Sequence, residues 1–191
     1  MKTLLHICCA PCSVACVDDL RQSGIEFDGY WYNPNIHPFT EYNARRQALC
    51  DFARSAEFRL LLDDEYGLRD FARATYPSFG SRCGYCYDIR LKKTAQYARD
   101  NGYDSFSTTL LISPYQNHEL IIKTAQKYSS EFGIDFLYRD FRPLFREGQS
   151  KARETGLYMQ KYCGCVFSEE ERYQKKIDKL TGFHIQEIEP K

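Results

Sequence analysis

Leu4-Leu5-His6-Ile7-Cys8-Cys9-Ala10-Pro11-Cys12 is the stretch whose reading decides the fold. An apolar run gives way to three closely spaced cysteines, then to a proline that opens a helical pattern. Proline suits the first helical position, where its missing N–H would have had no partner. Met1 to Ile7 therefore reads as a strand and Pro11 to about Ser23 as a helix, with the cysteines in the turn between. A strand-to-helix turn of this kind lies at the positive end of a helix, which favours thiolates. It is a place to hold a metal cofactor rather than an ordinary core element.

Outward from this turn the pattern alternates. Ser13, Cys16, Val17 and Leu20 form one inward stripe of the first helix, which ends at Gly24. Phe27 to Asn33 is aromatic and strand-like and stops at Pro34. Strand, helix and strand within about 30 residues make a βαβ unit, so these strands are parallel neighbours. Thr40 to Ser55 reads as a second helix and Phe58 to Leu62 as a third strand, followed by Asp63-Asp64-Glu65. Tyr66 to Phe79 is helix-like until Pro77 and Gly80. Arg82-Cys83-Gly84-Tyr85-Cys86-Tyr87 then leads into a helix from about Tyr87 to Asp100, and Asp104 to Leu111 is a fourth strand. Ser113-Pro114-Tyr115-Gln116 has the form of a capping box and predicts a helix from there to about Ser130. Ile134 to Arg139 is a fifth strand, and Gln149 to Gln160 and Ser168 to Leu180 are helical by pattern.

Alternating strands and helices predict an α/β fold with an open parallel five-stranded sheet and helices on both faces. The expected strand order is 3-2-1-4-5. The chain is expected to be one domain over 1–191, with 149–191 a helical C-terminal segment that carries Cys163 and Cys165. Such sheets bind ligands beyond the carboxyl ends of their strands, where the order reverses. That places the cysteine turn beside Thr108 to Gln116, at the ligand crevice.

The composition agrees with a soluble metal protein. A chain of 191 residues with 43% hydrophobic and 27% charged side chains can bury one full core. No apolar run approaches the ~20 residues of a membrane span. With no secretory signal pattern either, the expected compartment is the cytoplasm. There nine cysteines point to metal or redox chemistry more than to a disulfide framework. Twenty-six basic and twenty-six acidic side chains cancel, which neither advertises nor excludes a local basic face for nucleic acid. Fifteen Tyr and thirteen Phe suit ligand stacking or an aromatic core equally.

Seven of the nine cysteines form three groups: Cys8, Cys9 and Cys12; Cys83 and Cys86; Cys163 and Cys165. Close spacing lets thiolates reach one metal centre from a single turn. Four thiolates complete an iron–sulfur cluster or a zinc site, which leaves three for a second metal or a redox pair. A closed zinc site that only staples the tail to the sheet is the structural alternative. Cys16 and Cys50 lie on or beside apolar stripes and read as core. His6 reads as a hydrogen-bonded core histidine, and His37, in a loop at the ligand edge, as a candidate for substrate contact. Asp63 and Asp64 can ligate a hard metal, donate a proton or cap the next helix. Arg82, Arg90, Arg139, Arg142 and Arg146 can make a phosphate-binding face or simply solvated charge.

His6 to Cys12, Tyr32-Asn33-Pro34-Asn35-Ile36-His37-Pro38 with Glu41-Tyr42, and Arg82 to Tyr87 together resemble the cobalamin-independent epoxyqueuosine reductase family (QueH). So do Thr108 to Gln116, Asp140-Phe141-Arg142, and Gly156-Leu157-Tyr158 through Tyr162-Cys163-Gly164-Cys165. The likeness runs from about His6 to Ser168 in the family's order. Met159 departs from it, since the family often has arginine there. The resemblance implies a nucleotide-hydrolase-like (HUP-type) α/β fold, with the cysteine turn where relatives keep a phosphate loop. It implies reduction of epoxyqueuosine in tRNA to queuosine, with a [4Fe–4S] cluster, an additional iron ion and a carboxylate as a further ligand.

Spacing does not assign individual thiolates. On the resemblance, Cys9, Cys12, Cys83 and Cys86 hold the cluster. Cys8, Cys163, Cys165 and Asp63 or Asp64 stand near the second, catalytic site. Tyr115, Gln116 and Asn35, with His37, are the expected contacts to a base that has left the anticodon stack. The partners are then tRNA carrying epoxyqueuosine and an electron donor, with no membrane. Two rivals remain. One is a sulfur-inserting tRNA-modifying enzyme on the same scaffold, disfavoured because its nucleotide-binding phosphate loop is replaced by Cys-Cys-Ala-Pro-Cys. The other is a non-catalytic, metal-stapled RNA-binding module, for which seven clustered thiolates are too many.

Overall fold

The computed structural model describes residues 2–76 and 78–181; Met1, Pro77 and 182–191 of the expected C-terminal segment lie outside it. Five strands, β1 (Lys2–His6), β2 (Glu26–Trp31), β3 (Leu60–Leu62), β4 (Ser105–Thr108) and β5 (Asp135–Phe136), form one sheet in the order β3-β2-β1-β4-β5. Every pairing is parallel, as expected from the βαβ pattern. Leu4, Leu5, Tyr30, Trp31 and Phe106 of the central strands are fully buried, because helices cover a parallel sheet on both faces. Helix α1 (Ala10–Gln22) packs with α2 (Phe39–Ser55) and with a later helix near the tail. Helices α3 (Leu68–Thr75), α4 (Arg82–Asp100) and α5 (His118–Phe132) make a second set in which α4 touches both others. No described helix is long and apolar enough to cross a membrane.

Several boundaries differ from the sequence pattern, and four of them bear on the site. The fourth strand stops at Thr108 rather than Leu111, because the Thr108 hydroxyl accepts the Leu110 N–H at 3.1 Å and bends Thr109–Ile112 into a buried 3₁₀ turn. The capping box at Ser113 does not form. Its hydroxyl accepts from Tyr115 N–H at 3.3 Å, and Asn117 caps α5 instead, accepting from Leu120 N–H at 3.0 Å. The inward stripe of Ile121, Thr124, Ala125 and Tyr128 sets the helix register from Asn117 onward. The fifth strand shrinks to two residues, Asp135 and Phe136, which pair with Ser105 and Phe106 of β4. Helix α4 begins at Arg82 rather than Tyr87, which puts Cys83 and Cys86 on its first turn instead of in a loop.

The tail differs most. The helix expected over Gln149 to Gln160 is α6 (Phe145–Glu154). It stops because Gly156 takes a left-handed φ of 70°, and the Gly156 and Leu157 N–H groups close on Arg153 and Ala152 carbonyls. Residues beyond Gly156 are thereby released to cross the sheet's ligand edge before α7 (Val166–Thr181) begins. Helix α6 lies close to α1: a Cβ added at Gly148 would sit 2.9 Å from the Ala15 Cβ. Gly148→Ala is therefore expected to lower stability in urea unfolding by about 1–3 kcal/mol through overpacking, against alanine's better helix propensity.

Candidate metal centre

The end of β1 is locked before the cysteines begin. His6 is fully buried, its Nδ1 lies 2.9 Å from Thr108 Oγ1 and its Nε2 3.2 Å from the Tyr32 carbonyl oxygen. Burial, then the charge of Arg90, pulls its pKa down to about 3, so the ring is neutral. A neutral ring facing a carbonyl through Nε2 must donate there and accept from the Thr108 hydroxyl at Nδ1. His6 is thus the core histidine its sequence position suggests. Asn33 Nδ2 donates to the Ile7 carbonyl at 2.9 Å. Thr109 Oγ1 accepts from the Cys8 N–H at 3.1 Å and donates to the Cys8 sulfur at 3.4 Å.

These contacts present three thiols from one turn. Cys9 is the N-cap of α1 and Cys12 lies in its first turn, with Pro11 between them. The sulfurs of Cys8, Cys9 and Cys12 all lie within 4.8 Å of one another, the only such group of three metal-ligating side chains among the described residues. Hydrogen bonds from Cys12 and Cys9 hold the Cys8 thiol well below its ordinary pKa. Hydrogen bonding with Cys8 and Cys9, with burial behind it, pushes Cys12 up. The Cys8 thiolate is thus the favoured one of the three, and the three sulfurs could together hold a metal ion. Gln160, which the sequence pattern placed in a helix, reaches in from the tail. Its Nε2 donates to the Cys9 sulfur at 3.0 Å and to Cys12 at 3.7 Å, and its Oε1 is buried without a partner.

The other two cysteine groups meet beside this turn. Cys86 and Cys165 pack together with Phe71, while Cys83 and Cys163 are exposed. Burial pushes the Cys86 thiol up to about 12, with Arg90 pulling the other way. Arg90 Nη2 donates to the Cys86 sulfur at 2.9 Å, and Gln116 Nε2 donates to the Cys163 sulfur at 3.5 Å. The loop carrying Cys163, Gly164 and Cys165 is fastened from below. Arg45 Nη1 and Nη2 donate to the Cys163 and Tyr162 carbonyls at 2.8 and 2.9 Å. Arg45 is itself 2% exposed and paired to Glu41 at 2.7 Å, and Glu41 also accepts from the Tyr158 hydroxyl. The His37 N–H donates to the Gly164 carbonyl at 2.8 Å, and the Tyr162 hydroxyl to the His37 carbonyl at 2.6 Å.

Several expected site residues sit elsewhere. His37 and Asn35, the expected base contacts, are 0% and 2% exposed beneath the loop that carries Cys163 and Gly164. His37 packs edge-on against Tyr66 and Phe71, and burial lowers its pKa to about 4. Asp63 accepts from the Tyr30 hydroxyl at 2.6 Å and pairs with Lys93 at 3.4 Å. Asp64 takes a two-pronged hydrogen bond from Arg46 at 2.7 and 2.6 Å and one from Tyr42 at 3.1 Å. No carboxylate joins the three-thiol group among the described residues. Of the arginines considered for a phosphate face, Arg90 is buried, Arg82 pairs with Glu171, Arg139 with Asp19 and Arg142 with Asp140. Tyr115 is 86% exposed, standing edge-on against Phe145. Gln116, next to it, bridges the Tyr87 hydroxyl at 2.6 Å and Cys163. A cleft of about 480 Å³ along α7, lined by Val166, Phe167, Glu169, Glu170, Tyr173 and Ile177, contains none of the thiols.

Gln160, Thr109, Arg45 and Arg90 were not marked as sulfur or loop partners by the sequence. Only the Glu41–Arg45 spacing of four carried a signal, as a helical ion pair.

A family model described as epoxyqueuosine reductase QueH matches residues 3–171. The chain is 37% identical over 174 residues to a protein of Dehalococcoides mccartyi named epoxyqueuosine reductase QueH, covering 91% of this chain and 96% of that one. A Thermotoga maritima protein of the same name is 36% identical over 182 residues, with 90% and 92% covered. Among solved structures, the U34-tRNA thiolase NcsA of Methanococcus maripaludis with its [4Fe–4S] cluster matches with a TM-score of 0.56 at 12% identity, over 94% of this chain and 67% of that one. A predicted tRNA methyltransferase subunit of Methanocaldococcus jannaschii matches at 0.54 and 12%, over 95% and 88%. These two likenesses bear on the fold alone.

Arg45→Met would leave Glu41 buried without its cation and two loop carbonyls without donors. It is expected to cost about 3–5 kcal/mol in urea unfolding, whereas Arg46→Met, which breaks a more exposed pair, costs about 1 kcal/mol or less.

Proposed function

This chain belongs to the epoxyqueuosine reductase QueH family, and from that premise we propose that it reduces the epoxide of epoxyqueuosine in tRNA to the alkene of queuosine. The observation that carries the reading is the Cys8, Cys9 and Cys12 sulfurs gathered within 4.8 Å at the carboxyl edge of β1 and β4. Conversion of an epoxide to an alkene consumes two electrons and two protons and releases the oxygen as water. The electrons have to pass through a redox centre, a metal cluster or a thiol pair, that is itself re-reduced, so a metal cofactor and an external electron donor belong to the reading.

The residues fit a sulfur-ligated metal. Thiolates are the ligands that iron–sulfur clusters take, and donors already point at them from Thr109, Gln160, Arg90 and Gln116. Such donors stabilise negative charge on sulfur. In this proposal Cys9, Cys12, Cys83 and Cys86 hold a [4Fe–4S] cluster, and Cys8, Cys163 and Cys165 stand at an additional iron. A carboxylate ligand to that iron, Asp63 or Asp64, would have to leave Tyr30 and Lys93 or Arg46 to reach it. When bound, the metals supply single electrons and a Lewis acid for the epoxide oxygen.

The chain's own residues do the rest. Tyr115 offers an exposed ring, braced by Phe145, on which a base can stack. Gln116, fixed by Tyr87, presents an amide beside Cys163 for polar contact with the modified base. The Cys163 loop, pinned by Arg45 and His37, closes over Asn35.

Anaerobic purification followed by metal and sulfide analysis tests this reading, with assay on tRNA that carries epoxyqueuosine. Iron near five and sulfide near four per chain are expected, about the content of one [4Fe–4S] cluster plus one iron. Cys9→Ala is expected to abolish turnover. Zinc with no sulfide and no turnover would sink the reading and leave a metal-stapled RNA-binding module. Tyr115→Ala is expected to raise the KM for tRNA about tenfold, as loss of one base stack of about 1–3 kcal/mol implies. Its kcat should change little, and Tyr115→Phe should behave as wild type.

A further inference from the structure

Arg90 is one of two arginines buried to 2% exposure, and their surroundings differ. Arg45 has Glu41 at 2.7 Å. The hydrogen bonds of Arg90 go to the Cys86 carbonyl at 2.9 Å, to Asn33 Oδ1 at 3.5 Å and to the Cys86 sulfur at 2.9 Å. Among the described residues no carboxylate pairs with it. A guanidinium stays charged under all ordinary conditions, and a buried charge without a counter-charge is costly. The Arg90 charge is within electrostatic reach of the Cys86, Cys163 and Cys8 sulfurs and of the Tyr87 hydroxyl; burial keeps that phenol protonated, which leaves the sulfurs to supply the counter-charge.

We propose that Arg90 is a positioning residue that balances the charge of the metal-bound thiolates and raises the reduction potential of the cluster held through Cys86. The inference rests on the cluster reading above. Each electron taken up by a thiolate-bound cluster adds negative charge at its sulfurs, and the Cys86 sulfur is a buried one. A fixed cation and an N–H···S hydrogen bond both stabilise that added charge, so both move the potential upward. Arg90 provides the two together. Its guanidinium is held flat by the Cys86 carbonyl and Asn33, so the sulfur contact is set by α4 itself rather than by the substrate.

The test is a redox titration followed by electron paramagnetic resonance on the anaerobically purified enzyme, comparing wild type, Arg90→Lys and Arg90→Gln at known iron and sulfide content. Arg90→Gln removes the charge and is expected to make cluster reduction at least tenfold less favourable, a fall of about 59 mV for one electron. Arg90→Lys keeps the charge and should recover most of that fall. A cluster in Arg90→Gln that is fully loaded and unchanged in potential overturns the proposal. Should neither variant assemble a cluster, wild-type enzyme labelled with ¹⁵N-arginine decides the matter. Pulsed resonance of its reduced cluster is expected to show a ¹⁵N coupling that persists in Arg45→Lys, and its absence overturns the proposal. Wild-type enzyme without sulfide or a cluster signal overturns the cluster reading and this inference together. A normal wild-type cluster with an Arg90-insensitive potential overturns this inference alone.

Discussion

A strand that ends in three thiols must close its backbone hydrogen bonds without using the sulfurs, and the rest of the site depends on how this is done. The solution is a ring of side chains around the end of β1. His6 ties Thr108 to the Tyr32 carbonyl, Asn33 takes the Ile7 carbonyl, and Thr109 takes the Cys8 N–H. All four anchors are buried, so they hold the turn without competition from water. With the backbone satisfied from β2 and β4, Cys8, Cys9 and Cys12 are left to face one another at the start of α1. The parallel sheet matters here because it sets β2 and β4 on either side of β1.

The second constraint is charge. Two buried guanidiniums enter from α2 and α4, and they do different work. Arg45 is neutralised by Glu41 and spends its remaining donors on carbonyls of the Cys163 loop. Its role is mechanical: it docks the tail against the turn that contains Asn35 and His37. Among the described residues Arg90 pairs with no carboxylate, and it donates to the Cys86 sulfur. Buried ion pairs contribute little net stability, but removing one partner is costly. The Glu41–Arg45 pair therefore resists loss more than it adds to the fold, and it fixes where the tail lies.

Fold and function are linked at the site, not through the architecture. The structural neighbours share the α/β scaffold at 12% identity, and they are named for different reactions on tRNA. A common scaffold does not carry one chemistry. The features to weigh in this chain are the content of its first turn and the two cysteine groups that the tail and α4 bring beside it. Gln160, reaching back to Cys9 and Cys12, is the clearest sign that the tail belongs to the site rather than merely following it.

The sequence by itself determined the alternation of strands and helices, the sheet order, the position of the cysteine turn and the core role of His6. These depend on periodicity, proline and glycine placement and topological rules, all of which act over short stretches. The grouping of seven cysteines was legible too, because it is a local pattern. Only the tertiary structure decided what surrounds the sulfurs. Asn35 and His37 look like edge-loop residues until the tail covers them, and Asp63 and Asp64 look free until Lys93 and Arg46 are seen beside them. Arg90 looks like surface charge until α4 is found packed against β1, β4 and α5 with Arg90 on its buried face. Each of these outcomes depends on contacts between residues far apart in the chain. Burial and charge pairing are set by what packs against a side chain, and local sequence does not record that.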